Sequence, residues 1–274
     1  MVGSRPVRHR LIRSESVAAV VGAVVLLALQ PGEGLAQTPT QGYSAPRTPD
    51  GRPDLQGIWQ ALNTAAWNIQ DHGATPGVPA GQGVVVGNEL PYLPSALARR
   101  RENFDNRMTE DPEAKCHMVG VPRIMYMPYP VQIFQTPQQV TIVSEYAHTV
   151  RNIRMGSAHP PVQIEWYMGD SRGTWEGDTL VVDVIHFTDQ TWFDRSGNYH
   201  SEALHVVERY TPTGPDHLLY EATIEDPTVF SRPWTMSMTL YRRKDPNVRL
   251  LEYECYAFLE LYENFGPRRS GPPP

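Results

Sequence analysis

Side chains able to transfer protons are concentrated between residues 145 and 208 of this chain of 274 residues. His148 and His200 both lie there, with carboxylates nearby in the sequence. Histidine has an ordinary pKa of about 6.5 and therefore accepts and donates protons near neutral pH. Asp194 and His200 flank a predicted turn at 195–198, and a hairpin there would bring them together. The pattern predicts an acid–base site in which His200 and His148 share the roles of general acid and general base.

Further side chains complete the predicted catalytic group. Asp194 or Glu145 would orient one imidazole, and Arg154 would stabilise negative charge that develops on the substrate. Ligand sites combine aromatic walls with a few polar groups. The predicted substrate-binding residues are Trp192, Tyr146, Arg151, Trp166 and Phe193. We expect a lyase, isomerase or hydrolase that needs no cofactor and acts on a small oxygenated, partly aromatic or alicyclic substrate.

Two other classes of protein remain open. A periplasmic carrier would bind a small apolar ligand without chemistry, and a structural protein of the envelope would expose a large apolar patch. An enzyme of the predicted type requires at least two titratable groups on one pocket, whereas a carrier requires only an apolar cavity with a few polar groups. The specific catalytic hypothesis therefore requires His148 and His200 to face the same pocket.

The spacing of the histidines does not predict a metal centre. A strand that offers two imidazoles on one face needs them two residues apart, and this chain has no His-x-His sequence. His200 and His205 are five residues apart and would lie on opposite faces of a regular strand. A metal site assembled from His148, His159, His200 and Glu208 is geometrically possible but has no sequence signature. We predict neither a metal nor another cofactor.

The elements that position these residues are predominantly β-strands. One helix is predicted at 94–108, within a loop and helix segment at about 70–128. Beyond residue 130, short β-rich runs follow one another, separated by Pro, Gly, Asp or Asn. This pattern favours a lipocalin-like antiparallel β-barrel over a β-sandwich, with one or two short helices and a substrate cavity inside the barrel. The predicted strands are 131–135, 140–146, 150–155, 162–167, 172–176, 179–187, 202–210, 217–224, 234–242 and 249–258.

The amino terminus has the pattern of a cleavable secretory signal. Four arginines precede an apolar run at 17–29, and residues 34–36 (GLA) form a small-residue cleavage site. The apolar run is shorter than the ~20 residues that a membrane-spanning helix needs. We therefore predict a signal peptide at 1–36, a Pro-rich tether at 37–52 and one β-rich domain at 53–274. The mature protein would be periplasmic or secreted, with no stable membrane span.

The net charge restricts the expected class of partner, and the cysteine content restricts the expected disulfide bonds. The formal net charge is −6, and removal of residues 1–36 leaves 20 basic and 28 acidic residues. Nucleic-acid binders normally carry a basic face, so the expected partner is a small molecule and not a nucleic acid. The chain has 2 cysteines, and disulfides persist outside the cytoplasm. A disulfide between Cys116 and Cys255 is expected, and a nucleophilic thiol beside His117 is the alternative.

An ordered set of motifs resembles the pattern of a large group of exported bacterial proteins. The resemblance extends over nearly the whole mature chain and implies export and a shared β-rich fold, but it implies no reaction because the group has no established activity. The sequence GIW at 57–59 also resembles the Gly-x-Trp start of lipocalin-type barrels. A Cys-His-Glu-x-Asn run typical of the group near its end is replaced here by CYAF at 255–258. The motifs are 49–59 (PDGRPDLQGIW), Cys116 with 120–123 (GVPR), 169–183 (GDSRGTWEGDTLVVD), 200–204 (HSEAL) with 208–209 (ER), and 225–227 (EDP) with 233–234 (PW).

Overall fold

The computed structural model describes residues 43–75, 78–161 and 164–257. The predicted signal segment lies outside the described residues, as does the beginning of the predicted tether. The rest of the tether, 43–52, contacts the barrel, because the two terminal guanidinium nitrogens of Arg47 pair with Asp178 at 2.8 and 2.9 Å. Within the described ranges, no helix is both long and apolar enough to cross a membrane.

The described residues form a closed β-barrel of nine strands, each next to its neighbours in the sequence. This arrangement confirms the prediction of a mostly β protein that forms a barrel. Two short helices, α1 (Leu97–Asp105) and α2 (Arg107–Glu110), lie in the predicted loop and helix segment. The strands are β1 (Gly57–Ala61), β2 (Val131–Gln135), β3 (Gln139–Ser144), β4 (Val150–Met155), β5 (Asp170–Glu176), β6 (Thr179–Ile185), β7 (His205–Gly214), β8 (His217–Glu225) and β9 (Trp234–Arg242).

The odd number of strands explains the one departure from antiparallel order among the described strands. A ring of nine strands in sequence order cannot alternate direction throughout, so one neighbouring pair must be parallel. This pair is β4 and β5, in which Ile153 lies opposite Ser171. The connection at 156–169 therefore returns the chain to the other end of the barrel. It includes the predicted strand 162–167, whose described part, 164–167, pairs only through an isolated bridge between Trp166 and Phe187.

Side chains fill the described interior of the barrel. Alternate residues of each strand point inward, and those of β6 to β9 are aliphatic, aromatic or methionine side chains, apart from Glu208 on β7. Side chains with 1% exposure or less leave no water-sized space against them, so a functional cleft has to be sought outside this part of the barrel. The inward side chains with this low exposure include Leu180, Val182, Val184, Tyr210, Tyr220, Ala222, Ile224, Met236 and Leu240.

A buried ion pair crosses this interior. Both terminal nitrogens of Arg151 on β4 bind the carboxylate of Glu208 on β7, and the Arg151 Nε donates to Ser171 Oγ at 3.0 Å. The hydroxyls of Tyr210 and Tyr220 each donate to Glu208 Oε1 at 2.9 Å. Arg151, which was predicted to bind substrate, instead has its donors bound to neighbouring side chains within the barrel.

The Gly-x-Trp sequence lies at the seam where β1 pairs with β9. The Trp59 Nε1 donates to Leu55 O at 2.9 Å, and the guanidinium of Arg242 lies 4.2 Å from the centre of the Trp59 ring. Gly57 has φ +130°, and a Cβ there would lie 2.2 Å from Arg242 Nη1. A glycine is therefore required for the arginine to cover the tryptophan.

The predicted disulfide joins Cys116 to Cys255, with 5.6 Å between their Cα atoms. It attaches the segment that follows β9 to the loop that follows α2. The prediction of a strand at 249–258 is wrong for its described part, where an isolated bridge between Tyr146 and Tyr253 is the β-pairing found. The barrel is already closed by β1 and β9, so its ring offers no free edge to a further strand.

Candidate functional site

The structure does not bring His148 and His200 together. His148 lies in the turn between β3 and β4, its side chain is 48% exposed, and its Nε2 lies 2.8 Å from Glu254 Oε1. His200 is buried, and its ring nitrogens lie 2.6 Å from Thr191 Oγ1 and 2.9 Å from Ser201 O. Burial also lowers the pKa of His200. The predicted acid–base pair is therefore not formed, and His200 is held by hydrogen bonds within the protein.

Asp194 does not orient a histidine. Its carboxylate is buried and accepts hydrogen bonds from the backbone N–H groups of Ile69 at 2.9 Å, Ser196 at 2.8 Å and Asn198 at 3.2 Å. The Asn198 side-chain amide donates to it as well, at 2.6 Å. Burial raises the pKa of Asp194, and these hydrogen bonds oppose the increase. The carboxylate holds the predicted turn at 195–198 against the segment before residue 70.

Replacement of Asp194 by Ala should lower the free energy of unfolding by about 2–4 kcal/mol, because buried N–H donors lose their acceptor. Urea-induced unfolding would measure this change. Asp189→Ala is the matched control, since Asp189 is partly exposed and pairs with Arg99 at 3.4 Å. The control should lie within ~0.5 kcal/mol of the wild type, and equal effects of the two substitutions would contradict the role of Asp194.

The remaining predicted catalytic residues also lie apart. Glu145 accepts a hydrogen bond from the backbone N–H of Leu251 at 2.7 Å, and thus holds the segment after β9. Arg154 is exposed, on the outer face of β4. Neither residue contacts His200 within the described part of the chain.

The predicted aromatic binding residues separate into different environments. Tyr146 is buried and donates to His117 O at 3.2 Å, whereas Phe193 packs against His200 with 5.3 Å between ring centres. Trp192 borders a polar cleft between α1 and the 189–192 loop. Trp166 is half-buried, and its ring lies 6.1 Å from that of His186. These side chains do not line one common pocket.

A different set of histidines and carboxylates does converge, on the outer face of β5, β6 and β7. Asp183 on β6 binds two histidines, with Oδ1 2.7 Å from His159 Nε2 and Oδ2 2.8 Å from His205 Nε2. The other ring nitrogen of His159 lies 2.6 Å from Asp170 Oδ2. Arg172 pairs with the same Asp170 carboxylate at 2.6 and 2.8 Å. The side chains form a continuous hydrogen-bonded series from Arg172 to His205.

Hydrogen bonds keep both aspartates of this hydrogen-bonded series, Asp170 and Asp183, ionised. Partial burial would raise the pKa of Asp183, but hydrogen bonds from His205 and His159 hold it below its usual value. The pKa of Asp170 is likewise lowered against the effect of burial, by Arg172 and His159. An ionised carboxylate only accepts hydrogen bonds, and each ring nitrogen of His159 therefore lies against a hydrogen-bond acceptor.

His205 lies at the end of this hydrogen-bonded series and lines a surface cleft of about 430 Å³ that also contains His186. The Nε2 of His205 is bound to Asp183, whereas its Nδ1 lies 3.9 Å from Glu225 Oε2 and makes no hydrogen bond to a described residue. His186 has φ +63°, a conformation that side chains with a Cβ rarely adopt and that is often found at functional sites. Glu165 and Glu202 complete the polar part of the cleft.

The sequence contained a partial signal for this site. Asp183 and His205 belong to predicted strands, but their contact depends on the register in which Asp183 lies opposite Val207. His159 reaches the site from the long connection before β5, whose path local pattern does not predict. In the described residues, no group of three His, Cys, Asp or Glu side chains is arranged to hold a metal ion. In particular, His148, His159, His200 and Glu208 lie in separate environments.

Comparison of the sequence with known proteins finds no match to any family model and no significant match to a curated protein. The functional interpretation therefore rests on the chemistry of the residues and clefts themselves.

Proposed function

We propose that the protein is a cofactor-independent acid–base enzyme whose site is the cleft of His186 and His205. The observation that carries this proposal is the contact of His205 Nε2 with Asp183 at 2.8 Å, which leaves Nδ1 without a hydrogen bond to a described residue, on a side chain that lines a cleft with a second imidazole. Two titratable groups on one pocket are the feature that separates an enzyme of this type from a simple carrier.

The geometry supports distinct roles for the two imidazoles. Asp183 orients the ring of His205 and stabilises the imidazolium that forms when Nδ1 takes a proton from the substrate. His186 returns a proton to the developing product. The arrangement suits proton transfer in a lyase, an isomerase or a hydrolase, but with His205 and His186 in place of the predicted pair His148 and His200.

The lining of the cleft restricts the class of substrate. Glu165 and Glu202 contribute negative charge, while Ile185 and Leu204 contribute apolar surface. Carboxylates repel an anionic substrate and favour one that is neutral or cationic. A small, uncharged oxygenated molecule with an alicyclic or partly aromatic body fits these walls.

The exchange of α-protons in 2-tetralone, a neutral ketone of this class, tests the proposal. The protein in D₂O should accelerate deuterium uptake into the ketone, as measured by proton NMR, and hydrolysis of p-nitrophenyl acetate would report a hydrolase. His205→Gln should lower the rate of whichever of these two reactions the wild type accelerates by about 100-fold or more, because a positioned acid or base contributes about this factor. His186→Gln should lower it too.

His217→Gln is the matched control, since His217 is an exposed histidine at the start of β8, and its rate should equal that of the wild type. Failure of the wild type to accelerate either probe, or equal rates for the His205 and His217 variants, would contradict the proposed site.

We further infer that the enzyme works outside the cytoplasm, in the periplasm or as a secreted protein. The pattern of residues 1–36 and the disulfide between Cys116 and Cys255 support this location.

A further inference from the structure

A further cleft, of about 480 Å³, lies between α2 and the segments that the disulfide joins. Its walls include large apolar side chains that are unusually exposed, with Met108 77% and Phe104 43% exposed. Trp67, Tyr129 and Tyr253 form further walls. The rings of Tyr129 and Tyr253 lie 4.6 Å apart, and a hydrogen bond joins their side chains. The volume is in the range of small-molecule sites.

Two buried or half-buried arginines beside this cleft are neutralised by two carboxylates. Arg123 binds both oxygens of Asp111, at 2.8 and 3.1 Å, and also Glu113 at 2.8 Å. Arg195 pairs with both oxygens of the same Glu113, and its guanidinium lies 3.9 Å from the centre of the Trp67 ring. Burial opposes ionisation of Glu113, but the arginines hold its pKa below the usual value. This network is balanced in charge.

Arg107 adds one positive charge that the network does not neutralise. Its Nη1 donates to the backbone oxygen of Phe104 at 2.7 Å, and its guanidinium lies 4.1 Å from the centre of the Phe104 ring. Among the described residues, no carboxylate pairs with Arg107. The cleft therefore combines an apolar wall with a surplus of one positive charge at its edge.

We propose that this cleft binds a small apolar anion. The aromatic or aliphatic body of the ligand packs against Met108 and the Tyr129 and Tyr253 rings, and its carboxylate pairs with Arg107. A neutral apolar ligand would leave the charge of Arg107 without a counter-ion, whereas a carboxylate accepts two hydrogen bonds from a guanidinium in a planar arrangement. The binding site is separate in its residues from the proposed acid–base cleft and does not depend on it.

Naphthalene-2-carboxylate and its uncharged analogue naphthalene-2-carboxamide are suitable probes. Calorimetric titration of the whole protein should give an affinity about tenfold higher for the carboxylate, since a charge-assisted hydrogen bond contributes about this factor. Arg107→Gln should lower the affinity for the carboxylate to that for the carboxamide and leave the latter unchanged. Met108→Glu should abolish binding of both probes.

Arg101→Gln is the matched control, because Arg101 is exposed on α1 and does not line the cleft. Its affinities should equal those of the wild type, and circular dichroism should show that every variant keeps the fold. Equal affinities of the wild type for the two probes, a loss in the Arg101 variant as large as in the Arg107 variant, or no binding at millimolar probe would each overturn the proposal.

Discussion

Replacement of Glu208 by Gln should lower the free energy of unfolding by about 3–5 kcal/mol, the usual effect of removing one charge from a buried ion pair. Arg151 is 3% exposed and would keep its charge in the interior, because a guanidinium is not deprotonated in proteins. The amide would still accept the hydrogen bonds of Tyr210 and Tyr220, which both go to Oε1. The expected decrease in the free energy of unfolding therefore measures the cost of leaving the charge of Arg151 unpaired. Urea-induced unfolding, with the slope compared between variants, is the measurement.

The double variant Arg151→Met with Glu208→Gln separates charge from packing. Methionine removes the buried cation and approximately fills the volume of the arginine stem, so most of the lost stability should return. Such recovery is expected because replacing a buried ion pair by uncharged groups is often close to neutral. If the free energy of unfolding of the Glu208→Gln variant lay within ~1 kcal/mol of the wild-type value, the interior would tolerate an unpaired arginine, and this result would contradict the described network.

Removal of the disulfide by Cys116→Ser with Cys255→Ser should cost about 4–5 kcal/mol in the chain-entropy model. The bond closes a loop with a sequence separation of 139 residues, so its loss greatly increases the freedom of the unfolded chain. Unfolding of the wild type in reductant should reproduce the lower stability of the variant. A difference below ~1 kcal/mol would mean that the crosslink adds little to the contacts of the segment after β9.

The same variant links stability to the proposed ligand cleft. Tyr253 and Cys255 both line that cleft, and the disulfide attaches their segment to the loop after α2. Loss of the bond should therefore weaken binding of naphthalene-2-carboxylate. The acid–base cleft draws its residues from 165, 185–186 and 202–205, so the rate of proton exchange should change much less.

The proposed sites both lie outside the filled part of the barrel. The interior residues stabilise the fold through apolar packing and one satisfied polar network, while connecting segments bring the reactive side chains together. This division is common in β-proteins, where the scaffold is rigid and the loops carry function. His159 illustrates it, since the connection that the parallel pair requires is also the segment that brings its imidazole to Asp170 and Asp183.

Several features followed from local sequence alone. Alternation of apolar and polar residues predicted β9, because only a strand places such residues on two opposite faces. Gly177 and Asp178 separate the predicted strands 172–176 and 179–187, and they form the turn between β5 and β6, in which Gly177 has φ +59°. The secretory pattern and the count of cysteines predicted the disulfide, because two thiols in an oxidising compartment have one possible intramolecular partner each.

The tertiary structure decided which polar side chains meet. Asp194 and His200 are close in sequence, but Asp194 binds backbone N–H groups and His200 binds Thr191. Asp183 and His205 are 22 residues apart and form a hydrogen bond, because the pairing of β6 with β7 places both on the outer face of the barrel. Local pattern determines the strands and their two faces. Register, barrel closure and the path of a long connection depend on packing between distant residues, and these determine the chemistry that the protein can perform.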